Sequence, residues 1–151
     1  MDNCILVEGY ADVLSMHQAG IENTVASSGT SLTSEQIRLI RRYTKNITIL
    51  YDGDSAGIHA ALRGTDMILE EGMNVRIVVL TPNEDPDSFV QHNPIEVVRD
   101  YIDKNAKDFI SFKTQLLLKD AANNPIKKAE VVKDIVNTIS VIPDAIFRAT
   151  Y

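Results

Sequence analysis

The chain has 151 residues, 44% of them hydrophobic, with 21 acidic and 15 basic side chains and a formal net charge of -6. That length and apolar fraction suit one globular domain, or one domain plus a small appendage, and exclude a disordered chain. The negative balance excludes a uniformly basic surface of the kind that attracts nucleic acid wholesale.

Short apolar runs alternate with helix-like segments through the first two-thirds of the chain, the pattern of βαβ units around a mostly parallel sheet. Strands are predicted at Cys4 to Val7, Thr24 to Ala26, Ile47 to Tyr51 and Val75 to Leu80. Cys4, the single cysteine, lies inside the first of these runs; it reads as a buried core thiol with no disulfide to form, which suits a reducing cytosol. Between the strands, a first helix spans Tyr10 to Gln18 and stops at Ala19-Gly20. "TSEQ" then offers Thr33 as N-cap and Gln36 three residues on, a capping box ahead of Ile37 and Ile40. A third helix starts by Ser55 and turns Ile58, Ala61, Leu62, Met67 and Ile68 toward the sheet as far as Glu71-Gly72.

Beyond "TPNEDPDSFVQHNP" only helical spacing remains. Pro94 opens a helix with Ile95, Val98 and Ile102, and Phe109, Phe112, Leu116 and Leu117 mark the next. Pro125 follows an asparagine cap, with Ile126, Ala129, Val132, Ile135, Val136 and Ile139 expected along one face. Pro143-Asp144 begins a last helix that the chain leaves short, so a fragment of a longer protein is expected. The predicted fold is α/β: a mostly parallel four-stranded sheet flanked by helices over residues 1–92, then a small all-α unit over 93–151. Neither a membrane span of roughly 18 apolar residues nor a signal-peptide layout is present in the sequence.

Acidic groups recur at equivalent places: Glu8 after the first strand, Asp52 and Asp54 after the third, Asp85 and Asp87 just beyond the fourth. In an open parallel sheet the C-terminal strand ends share one rim, where ligands bind. Acids at strand ends also cap helices, but three such positions in register would repel one another unless neutralised, and a magnesium ion does that with hard oxygen ligands. One or two such ions would also position phosphate oxygens for in-line displacement, so phosphoryl or nucleotidyl transfer is the implied chemistry. Asp12 lies one helical turn past Gly9 and is expected to face the same way. Other chemistry is thinly represented. His17, His59 and His92 lack ligand spacing, "ASSGTSLT" reads as a plain loop without P-loop spacing, Tyr10 is expected to pack, and Arg38, Arg41, Arg42 and Lys45 read as a solvated face.

The stretches "VEGYADVLSMHQAGI", "ASSGTSLT", "YDGDSAG" and "EDPDSFV", in that order, resemble the Toprim domain of bacterial DNA primases over about residues 3 to 92. The tail, including "ISVIPDAIFRATY", is similar to the helical subdomain that follows it in those primases. The resemblance implies a Toprim fold and synthesis of short RNA primers from ribonucleoside triphosphates on single-stranded DNA, in the bacterial cytoplasm at the replication fork. It implies Glu8, Asp52 and Asp54 as catalytic metal-binding acids, Asp85 and Asp87 as further ligands, Asp12 in support, and magnesium or manganese as cofactor, with Glu8 a candidate acceptor for the attacking hydroxyl's proton. The family's zinc-binding module, basic N-terminal part and helicase-docking domain have no counterpart in this sequence. No zinc site is therefore expected here, helicase contact would run through the missing domain, and the fragment is expected to be a monomer that makes little primer alone. Two other readings stand beside this one. "ITILYDGD" also resembles haloacid dehalogenase-like phosphatases, with Asp52 as nucleophile, although that motif wants Thr or Val where Ala56 stands. Another Toprim enzyme or a metal-stabilised, non-catalytic binding module would also place acids at these loops.

Overall fold

β-branched runs become parallel strands, and the helices between them fall on the faces that chain handedness dictates. The computed structural model describes residues 2–29, 32–52 and 55–151, with the backbone alone for residues 55–57, 59–61 and 63. In chain order the elements are β1 (Cys4–Val7), α1 (Tyr10–Gln18), β2 (Thr24–Ala26), α2 (Ser34–Arg41), β3 (Asn46–Tyr51), α3 (Ser55–Glu70), β4 (Asn74–Val79), α4 (Pro86–His92), α5 (Ile95–Asn105), β5 (Lys107–Asp108), α6 (Phe109–Ala121), α7 (Pro125–Ser140) and α8 (Ala145–Arg148).

The sheet order is β2-β1-β3-β4-β5. The first four strands are parallel, and β5 runs antiparallel along β4 through Arg76 and Ile77. Five strands replace the four expected. The fifth is two residues long and carries no alternation of its own; it pairs because α5 returns the chain to the β4 edge. Right-handed crossovers from β1 leftward to β2 and from β2 rightward to β3 and β4 must use opposite faces. Accordingly Met16 of α1, Phe89 of α4 and Val98 of α5 cover one face with Ile5, Val7, Leu50 and Val78. Ile37 of α2, Leu62 and Ile68 of α3 and Phe109 of α6 cover the other with Cys4, Leu6, Ile49 and Ile77. Strict alternation of strand side chains between the two clusters follows from the pleat, and each fully buried Ile or Phe contributes about 1.5–3 kcal/mol.

Residues 93–151 share this core. Phe109, Ile110 and Ile142 are buried in the same cluster as Leu6 and Ile77, with Leu116, Ile135 and Ile139 against it. At the helix ends, Thr33 and Gln36 form the expected capping box, with bonds of 3.2 and 2.9 Å. Asn124 Oδ1 accepts from the N–H groups of Ile126 and Lys127, and Asp144 caps α8 in the same way. The stripe expected along α7 does not hold: Ile126, Val132 and Val136 are exposed, while Ile135, Thr138 and Ile139 face inward. A series spaced mostly by three residues precesses around a helix of 3.6 residues per turn, so the stripe spans too wide an arc for one buried face. Among the described residues no helix is long and apolar enough to cross a membrane.

Candidate active site

The sheet order reverses direction between β1 and β3, because the connection from β1 leads to one side and that from β3 to the other. Loops diverging at such a point open a crevice at the C-terminal rim. Leu6 pairs with Ile49, so Glu8 and Asp52 leave their strands within one residue of the same level and flank that crevice. Together with Gly9, Tyr10, Asp12, Ser28, Gly29 and Asp85 they line an open cleft of about 490 Å³. Glu8 is exposed and Asp52 half-buried. Tyr10, expected to pack, is 74% exposed and stands on the cleft wall, because the first residue of α1 lies at the rim rather than over the sheet.

The third acidic position is built by a helix that the sequence pattern did not announce. Asp85 is the N-cap of the seven-residue α4, followed by Pro86 at the first helical position. Its Oδ1 accepts the Ser88 N–H at 2.7 Å. That backbone N–H, with the Ser88 hydroxyl, holds the Asp85 carboxyl below its ordinary value. Asp87, two residues further, is not among the cleft-lining residues. Its Oδ1 accepts from the Ser15 hydroxyl of α1 and from Gln91 Nε2 at 2.6 Å.

Asp12 joins the two loops. Its Oδ2 accepts the Gly9 N–H at 3.0 Å, fastening the turn that carries Glu8, and its Oδ1 accepts the Asp87 N–H at 3.2 Å, fastening the start of α4. Burial raises its carboxyl above the ordinary range, against the lowering pull of those two N–H groups. Burial, and then the nearby Glu8 charge, likewise raise the Tyr51 phenol at the end of β3.

The loop after β2, read from sequence as plain, forms the remaining wall. Ser27 and Ser28 donate their N–H groups to the carbonyls of Val7 and Glu8, and Ser28 and Gly29 both take left-handed backbone with φ of 58° and 76°. Thr30 and Ser31 of that loop lie outside the described residues, as do Gly53 and Asp54 of the "YDGD" turn. Among the described residues no three acidic, histidine or cysteine side chains approach closely enough to hold an ion by themselves. The acidic side chains that do share the cleft, Glu8, Asp12, Asp52 and Asp85, carry hard oxygens that suit a hard cation keeping several of its own waters.

A match to the family described as Toprim-like runs over residues 5–90. The chain belongs to the Toprim-like family. Among its relatives, this Toprim chain is 40% identical over 141 residues to the DNA primase of Clostridium acetobutylicum, covering 93% of itself and 23% of that protein. Its fold superposes on a DNA primase domain from Pseudomonas aeruginosa with a TM-score of 0.87 at 30% identity, over 99% of this chain and 48% of the other. A DnaG primase catalytic domain solved bound to single-stranded DNA gives a TM-score of 0.86 at 30% identity, over 99% and 49%. The resemblance drawn from "VEGYADVLSMHQAGI" to "EDPDSFV" is thus borne out, while the chain spans about a quarter of the length of the curated relatives it matches.

Proposed function

We propose that this chain is the nucleotidyl-transfer part of a bacterial DNA primase, which joins ribonucleotides into short primers on a single-stranded DNA template. The observation that carries the reading is the convergence of Glu8, Asp52 and Asp85, from three strand ends, on one open cleft. Glu8, Asp52 and Asp54 would hold magnesium or manganese, with Asp85 and Asp87 as further ligands and Asp12 in support. When bound, the ion supplies positive charge against the α-phosphate and the departing pyrophosphate. The chain's own residues do the rest. Asp52, half-buried at the point where strand order reverses, anchors the donor set. The exposed Glu8 carboxylate is available to accept the proton of the attacking 3'-hydroxyl. Asp85 keeps one oxygen for its helix cap and offers the other, and Asp12 holds the Glu8 turn and α4 at a fixed separation.

The template reading is supported by the relative solved with single-stranded DNA. With a net charge of -6, the chain offers a template little attraction away from a bound cation. Basic surface for the template, and contact with a replicative helicase, belong in this reading to other parts of a longer cytoplasmic protein, and the chain by itself is a monomer. The test is a chimera in which this chain replaces the matching segment of the Clostridium acetobutylicum primase. It should make RNA primers on single-stranded DNA with manganese, and Asp52→Asn should abolish synthesis while leaving DNA binding intact. A chimera that folds and binds DNA yet makes no primer, or an Asp52→Asn form that still makes it, would overturn the assignment.

A further inference from the structure

Three of the five tyrosines are exposed, and each is placed differently. Tyr151 donates its hydroxyl to Asp108 and packs edge-on against Phe147. Tyr43 shortly precedes β3 and so lies at the end of the sheet away from the cleft. Tyr10 stands on the cleft wall with 74% of its surface open to solvent, and among the described residues no hydrogen bond or ring contact engages its side chain. Its main chain, by contrast, is fastened. Asp12 accepts the Gly9 N–H just before it at 3.0 Å, and the Gly9 carbonyl accepts the Val13 N–H at 3.4 Å. The other described residues lining the cleft are four acids, two glycines and Ser28. Among the described residues there, Tyr10 alone offers a flat apolar face.

We infer that the Tyr10 ring is the surface on which the base of the bound ribonucleotide stacks. The inference rests on the nucleotidyl-transfer reading above and deepens it, because the acids account for the phosphate end of the substrate and leave its base unassigned. A nucleoside triphosphate has a charged end and a flat, largely apolar one. Acids that hold a cation draw the first toward them. Carboxylates and glycines do nothing to cover the second, whereas an aromatic ring takes its face out of water and stacks on it. Every base has a π-face, so stacking accepts them all, which suits a site that must take each of four ribonucleotides in turn. With its main chain already fastened, the tyrosine has only two side-chain torsions to order on binding, so little entropy is lost.

The test is nucleotide binding by the whole chain, read by calorimetry with ATP, UTP and inorganic tripolyphosphate, which has no base, each in the presence of manganese. The variants are Tyr10→Ala, Tyr10→Phe and Leu14→Ala. Leu14, one turn along α1, is 65% exposed and is not among the cleft-lining residues, so it controls for loss of exposed apolar surface. Alanine is the strongest helix former, so Tyr10→Ala should fold. It should weaken both nucleotides roughly tenfold and leave the binding of manganese and of tripolyphosphate unchanged, while Tyr10→Phe and Leu14→Ala should bind as the parent does. The chain has no tryptophan, so Tyr10→Trp reports on this position alone: its emission should fall when ATP is added with magnesium and hold steady with tripolyphosphate. Unchanged nucleotide affinity in folded Tyr10→Ala, an equal loss for tripolyphosphate, an equal loss in Tyr10→Phe or Leu14→Ala, a Tyr10→Trp emission indifferent to ATP, or a parent that binds manganese but no nucleotide would overturn the inference while leaving the cation site standing. A parent chain that binds neither manganese nor nucleotide would overturn both.

Discussion

Replacing Thr138 by valine should be among the more damaging conservative changes in the chain. Thr138 is fully buried on α7. Its hydroxyl accepts from Lys113 Nζ of α6 at 2.7 Å and donates to Asp66 Oδ1 of α3 at 3.2 Å. The Lys113 side chain is only 5% exposed, and its other partner, Asp134 at 3.2 Å, is half-exposed. Valine matches the shape of threonine but leaves a buried ammonium with that single outlying carboxylate. A hydrogen bond to a charged group is worth about 1.5–3 kcal/mol, and removing one partner of a buried charge costs about 3–5 kcal/mol. Because Asp134 and some water remain, about 2–3 kcal/mol is expected, or a fall in Tm of about 5–10 °C for a domain of this size. Lys113→Met removes the charge and keeps the buried stem, so it should stay within about 1 kcal/mol of the parent. Adding it to Thr138→Val should recover part of the loss. Urea unfolding followed by circular dichroism reads all four proteins. A Thr138→Val form within about 0.5 kcal/mol of the parent, or a Lys113→Met form that is the less stable of the two, would refute the reasoning.

Two further outcomes follow from side chains in the core and at a helix end. Burial pushes the Cys4 thiol up from 9.0 to about 11, so the folded chain keeps a proton that the unfolded chain releases. The corresponding stability is fully present below the unfolded value and is lost as pH rises through the folded one, by about 2–3 kcal/mol at most. Urea midpoints should therefore fall more steeply in this window for the parent than for Cys4→Ala; parallel curves would contradict this. At the start of α7, Asn124→Ala removes the acceptor of two backbone N–H groups and should cost about 0.5–2 kcal/mol. Asn124→Asp should cost much less in the same melts.

What was legible in the sequence was whatever local chemistry decides. The β-branched runs became strands with ends within a residue of their predicted positions, and Thr33, Asn124 and Asp144 capped the helices they preceded. The acids stood out because strand ends in a parallel sheet must share a rim, so Glu8, Asp52 and Asp85 could be brought together on paper before any geometry was known. Features fixed by distant contacts were not legible. β5 exists only because α5 returns two residues to the β4 edge. The seven residues of α4 give too little periodicity to announce a helix, although Asp85 followed by Pro86 was a start signal. The exposure of Tyr10 depends on where the rim lies, and the pairing of Ser15 with Asp87 depends on α1 and α4 lying on the same face.

The claim on which the account turns is that the acids at the rim form one cation site. Calorimetric titration of the chain with magnesium and with manganese, alongside an Asp52→Asn/Asp54→Asn form checked for an unchanged fold, tests it most directly. Saturable binding by the parent that disappears in the double variant is the predicted result. Binding that survives both substitutions, or no binding by the parent even at millimolar metal, would contradict it.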